Sequence, residues 1–113
     1  MNCNEKYPIS LKGRFASWKG NAKVRKREWN LIFADIKDRP QICFYTGIVL
    51  TLEKNKFNTL SLDRVDNKKG YTKDNVVLCC SEINYLKYKM NIKQFLERCE
   101  KVVKGAINHE NML

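Results

Sequence analysis

The chain has 113 residues, 22 of them Lys or Arg against 12 Asp or Glu, which gives a formal net charge of +10 and a pI near 9.5. That length supports one hydrophobic core and excludes two independent domains, and the charge points to a polyanion while leaving DNA, RNA and an acidic membrane surface undistinguished. No run approaches the roughly 18–20 apolar residues needed to cross a bilayer, the N-terminus lacks a signal-peptide pattern, and five cysteines, with Cys79 and Cys80 adjacent, make a poor disulfide framework; a cytoplasmic, intracellular protein with reduced thiols and no membrane partner is expected.

In chain order, Leu11, Phe15, Trp18 and Ala22 recur at helical spacing, with Lys12, Lys19, Lys23 and Lys26 on another face. Gly13 and Gly20 each cost such a helix roughly 1 kcal/mol against alanine, so its packed face must hold it. From Lys12 to Arg27 there are seven Lys or Arg and no Asp or Glu. Lys12, Lys19, Lys23, Arg25, Lys26 and Arg27 are therefore candidate phosphate contacts, since such side chains release condensed counterions when they meet a nucleic-acid backbone. Glu28 to Pro40 reads as a short extended piece entering a second helix, with Trp29, Leu31, Phe33 and Ile36 as core candidates.

Two β-rich runs follow, Thr59–Val65 and Asn75–Cys80, joined by the polar, Gly-containing segment 66–74. This is the pattern of a hairpin with a long loop. Ser81 is placed to cap a helix through Ile83, Leu86 and Met90, with Glu82 in its first turn. Asn91 caps a final helix whose apolar face is Ile92, Phe95, Leu96, Cys99, Val102 and Val103. Residues from Gly105 onward read as a frayed tail, and His109, the one histidine, lies there as a solvent residue.

The chemistry concentrates in Ser61-Leu62-Asp63-Arg64-Val65-Asp66, Gly70-Tyr71, Asn75 to Cys80, Asn84 and Lys87. A hairpin leading directly into a helix brings Asp63 and Asn84 toward one small volume. Their carboxylate and amide oxygens are hard ligands suited to a partly hydrated Mg²⁺ or Mn²⁺ bridged to phosphate. Lys87, three residues after Asn84, shares its helix face and is expected to meet the same phosphate.

In these positions the sequence resembles the HNH, or His-Me finger, nuclease superfamily, over roughly Cys43 to Met90. Asp-Arg-Val-Asp-Asn at 63–67 and Gly-Tyr-x-x-x-Asn-Val at 70–76 resemble a branch associated with phages and large viruses. The resemblance implies a single α+β domain with a ββα-metal core at 41–90, a basic helical region at 1–40, a C-terminal helix at 91–105 and a tail at 106–113. It also implies a metal-dependent endonuclease acting on DNA, with Asp63 and Asn84 as metal ligands and Asn75 bracing the hairpin. Where the family places its general-base histidine stands Arg64, whose guanidinium cannot accept a proton at neutral pH. Arg64 suits phosphate clamping, and Asp66, Tyr71 or a metal-bound hydroxide is left to take the proton.

The family's two Cys-x-x-Cys knuckles are each reduced to one thiol, in Cys43-Phe44-Tyr45-Thr46-Gly47 and Cys80-Ser81-Glu82-Ile83-Asn84, so structural zinc is not expected. The rival reading is a catalytically silent nucleic-acid- or protein-binding module on the same scaffold. The oligomeric state is left open.

Overall fold

The computed structural model describes residues 10–112. Residues 1–9, with Cys3 and the start of the basic N-terminal region, and residue 113 lie outside them. The elements are α1 (Leu11–Val24), α2 (Ala34–Lys37), β1 (Leu60–Arg64), β2 (Val76–Cys80), α3 (Ser81–Lys87) and α4 (Ile92–Ala106), with a 3₁₀ segment over Ile107–Met112. The fold class is α+β, built on one two-stranded antiparallel sheet.

Helix α1 starts at Ser10, whose Oγ accepts from the Gly13 amide at 3.1 Å. It ends where Lys26 takes a positive φ of 56°. Ala22 is buried, and Leu11, Phe15 and Trp18 pack against the core as expected. The Phe15 ring meets Trp29 edge-on at 5.3 Å and Phe33 at 5.6 Å. The second helix is a single turn, shorter than the sequence suggests: Asp35 Oδ2 accepts from the Ile32 amide at its start, and Arg39 turns away to donate to the carbonyls of Val76 and Lys73. Leu31 and Ile36 are buried there.

The strands pair from Leu60↔Cys80 to Arg64↔Val76. Leu60, Leu62, Val76, Leu78, Cys79 and Cys80 supply the centre of the core. The long loop between them is held from two sides. Asn75 is buried, accepts from the Asp66 amide at 2.9 Å, and donates to the carbonyls of Asp66 and Gly70, so the loop's polar groups are satisfied internally. From outside, Trp29 and Tyr71 form a parallel bridge. Gly70 lies so close to Glu28 that a Cβ there would stand 2.5 Å from the Glu28 Cβ, which is why the loop carries glycine at this point.

Two helix boundaries differ from expectation. Cys80, not Ser81, occupies the cap position of α3; Ser81 is the first helical residue and its hydroxyl donates to the Lys56 carbonyl at 3.4 Å. The helix stops at Lys87, short of Met90, because Tyr88 adopts φ 51° and ψ −121°. In α4 the expected Asn91 cap is present as a reciprocal capping box with Gln94. Of its expected apolar face only Phe95 is buried, against Tyr45, while Leu96, Val102 and Val103 are exposed. The tail forms a 3₁₀ segment in which His109 is exposed.

Candidate metal and nucleic-acid site

Strand alternation puts Ser61 and Asp63 on one face of β1, and α3 covers that face. Asn84, in the first turns of α3, donates from Nδ2 to Ser61 Oγ at 2.8 Å and to the Leu62 carbonyl at 3.3 Å. With the amide nitrogen so fixed, the amide oxygen is the group left to accept from or ligate something else.

Lys87, on the next turn, faces the same strand. Its side chain is 0% exposed, and its ammonium lies 3.1 Å from Asp63 Oδ2 and 3.3 Å from Oδ1 and donates to the Arg64 carbonyl at 3.2 Å. This corrects the expectation that Lys87 reaches an exposed phosphate. A buried ammonium is tolerated only when its donors are satisfied and its charge is matched, and Asp63 with the Arg64 carbonyl does both. Asp63 receives a further hydrogen bond, 2.6 Å long, from the Tyr45 hydroxyl. Burial, and then the bond to Asp63, push the Tyr45 hydroxyl well above the usual phenol range, so it remains a donor at physiological pH.

Asp63 and Asn84 line one cavity of about 770 Å³. Arg25, Arg27 and Arg64 line it too, with Trp18, Tyr71, Tyr85, Tyr88 and Lys89. A second cavity of about 620 Å³ shares Arg27 and Arg64 and adds Lys26, Lys68 and Lys69. The basic segment thus divides. Arg25, Lys26 and Arg27 reach the cavities, whereas Lys12, Lys19 and Lys23 are exposed along α1 and line neither.

Arg64 is partly committed: one guanidinium nitrogen donates to the carbonyls of Asn67 and Lys69, both at 2.9 Å, and the group lies 5.4 Å from the Tyr71 ring centre. Tyr71 lines the cavity, with its hydroxyl accepting from Arg27 at 3.4 Å. Asp66 lines neither cavity, and its Oδ1 accepts from the Lys68 amide as an ordinary turn carboxylate. Asn75 lies behind the site as the brace already described.

Sequence reasoning missed Tyr45, Tyr85, Tyr88 and Lys89. Tyr45 is 18 residues from Asp63 and carries no local signal of that contact. The other three follow Asn84 within five residues, but Tyr85 is its immediate neighbour and not on its helix face, and Tyr88 and Lys89 lie beyond the end of α3, so only nearness in sequence pointed to them.

No group of three or more His, Cys, Asp or Glu among the described residues is arranged to hold a metal. A hard cation needs fewer protein ligands when water and phosphate complete its shell, and the Asp63 carboxylate with the free Asn84 amide oxygen fits that demand. The two half-knuckle thiols meet in the core: the Cys80 amide donates to Cys43 Sγ at 3.4 Å, and Thr46 Oγ1 lies 3.7 Å from Cys80 Sγ. Burial pushes the neighbouring Cys79 thiol well up, keeping it protonated.

No family model matches the chain, and no solved structure matches it. Two viral proteins are similar to it. A 29.0 kDa protein of Enterobacteria phage T4, from the dda-modA intergenic region and described as uncharacterized, is 29% identical over 90 residues, which is 78% of this chain and 36% of that protein. An uncharacterized protein of Acanthamoeba polyphaga mimivirus is 28% identical over 100 residues, 86% of this chain and 17% of the mimivirus protein. The chain therefore spans about a third and a sixth of these relatives. No helix among the described residues is long and apolar enough to cross a membrane.

Proposed function

We propose that the chain is an HNH-type endonuclease that hydrolyses phosphodiester bonds in DNA with a divalent cation, Mg²⁺ or Mn²⁺. The observation that carries this reading is that Asp63 from β1 and Asn84 from α3 line the same cavity as three arginines. Oxygen ligands beside guanidinium groups suit a phosphate and a hard cation together, and suit neither an apolar ligand nor a soft metal.

Asp63 Oδ1 and the Asn84 amide oxygen would hold the cation, which when bound supplies charge stabilisation at the scissile phosphate and a more acidic water. Lys87 and Tyr45 hold the Asp63 carboxylate in one orientation. Arg25, Arg27 and Arg64 bind the phosphate and stabilise charge growing on its oxygens. Of the two side chains able to relay a proton, Tyr71 lines the cavity and Asp66 does not.

A second reading rests on the Asp63–Lys87 pair: a carboxylate already neutralised by an ammonium suits a binding module without cleavage. Nicking of supercoiled plasmid separates the two. The first reading expects nicks with Mg²⁺ or Mn²⁺, lost in chelator and in Asn84→Ala, with binding kept in both. DNA retarded but uncut with Mg²⁺, Mn²⁺ and Ca²⁺ would leave the binding module.

A further inference from the structure

Two tyrosines that the fold does not use stand at the rim of this cavity. Tyr85 is 85% exposed and Tyr88 is 74% exposed, and both line it. They lie three residues apart, Tyr85 within α3 and Tyr88 just past its end, and Asn84 lines the same cavity. Among the described residues neither ring packs on another aromatic ring, and the cation over either is Lys89, 5.4 Å from the centre of Tyr88. Tyr88 is also held at φ 51°, a conformation bulky side chains rarely adopt, and that backbone ends the helix. Packing explains neither ring.

The surroundings narrow what would cover them. Arg25, Arg27, Arg64 and Lys89 line the same cavity, and its one acidic residue, Asp63, is paired with Lys87. An occupant that is both anionic and flat fits this rim, and a nucleotide presents a phosphate and an aromatic base. In a duplex the faces of each base are already stacked on its neighbours. Only an unpaired base has a free face for tyrosine.

We propose that Tyr85 and Tyr88 form a stacking platform for unpaired bases, so that the preferred ligand is single-stranded nucleic acid or a single-stranded segment of a larger one. The inference rests on the cavity being a nucleic-acid site, and it does not depend on cleavage. The base face is common to DNA and RNA, so the two sugars are arms of the test.

Filter binding in chelating buffer, which silences any cleavage, would compare a single-stranded DNA, the RNA of the same sequence and the DNA duplex. The wild type is expected to bind at least one single strand more tightly than the duplex. Tyr85→Ala and Tyr88→Ala should each lose about tenfold in single-strand affinity, the scale of one base stacked on one aromatic ring. Duplex affinity should be unchanged, and Tyr85→Phe and Tyr88→Phe, which keep the rings, should bind as wild type. Alanine variants that hold single strands as well as wild type, lose both forms equally, or are matched by the phenylalanine variants would overturn the platform and leave the endonuclease reading standing. A wild type that binds no nucleic acid of any form would overturn both.

Discussion

At the scale of residues the molecule turns on Lys87 and Asp63. Truncating either leaves the other as an uncompensated buried charge, and such losses cost about 3–5 kcal/mol. Lys87→Met should therefore lower the stability read from urea unfolding by that amount, and Asp63→Leu in the same chain should recover most of it, because an apolar pair of similar volume removes the stranded charge. A double variant no more stable than Lys87→Met would show that the pair is not energetically coupled. The same contact decides how the proposed cleavage is probed: Asp63→Ala would confound a lost activity with lost folding, whereas Asn84→Ala removes two neutral hydrogen bonds and leaves the ion pair in place. The sequence made part of this legible. Spacing put Asn84 and Lys87 on one helix face, and they do share it. Whether that face meets solvent or a strand depends on Asp63 and Arg64, more than twenty residues away, and no local pattern carries that information.

Among the elements, the hairpin was the most readable, because turn-forming residues bracket two runs rich in β-branched and apolar side chains. Observed strands end within one residue of the expected ones. Helix ends were less readable: α3 stops at Lys87 through a tyrosine in a left-handed conformation, which composition does not announce. The strands have five residues each and α3 seven, too short to persist alone. With Lys87 and Asn84 bonding β1, the hairpin and α3 should open as one cooperative unit. Native-state hydrogen exchange checks this: slow amides of Asp63, Val77 and the end of α3, the first two being a hydrogen-bonded pair of the hairpin, should converge on one opening free energy with rising denaturant. An α3 that opens at markedly lower free energy than the strands would show that its side-chain bonds do not bind it to the sheet.

For the whole molecule, a net charge of +10 forecast a polyanion-seeking surface, and the fold divides that charge unequally. Arg25 and Arg27 line the main cavity and Lys19 and Lys23 do not. Log affinity for duplex DNA falls by about 0.9 per phosphate neutralised for each unit of log salt. Arg25→Gln with Arg27→Gln should flatten that slope by up to about 2, and Lys19→Gln with Lys23→Gln should leave it nearly unchanged. Equal flattening by both pairs would move the contact surface out along α1. The amphipathic pattern of α4 was likewise sufficient to foresee a helix and insufficient to foresee its exposure, since periodicity records an apolar face without recording what meets it. The position of the two tryptophans has a practical side. They are the chain's whole complement; Trp18 lines the main cavity and Trp29 lies 5.2 Å from Tyr71 on its wall. The protein's intrinsic ultraviolet emission therefore arises beside the site, and occupancy of that cavity has an optical signal that needs no label.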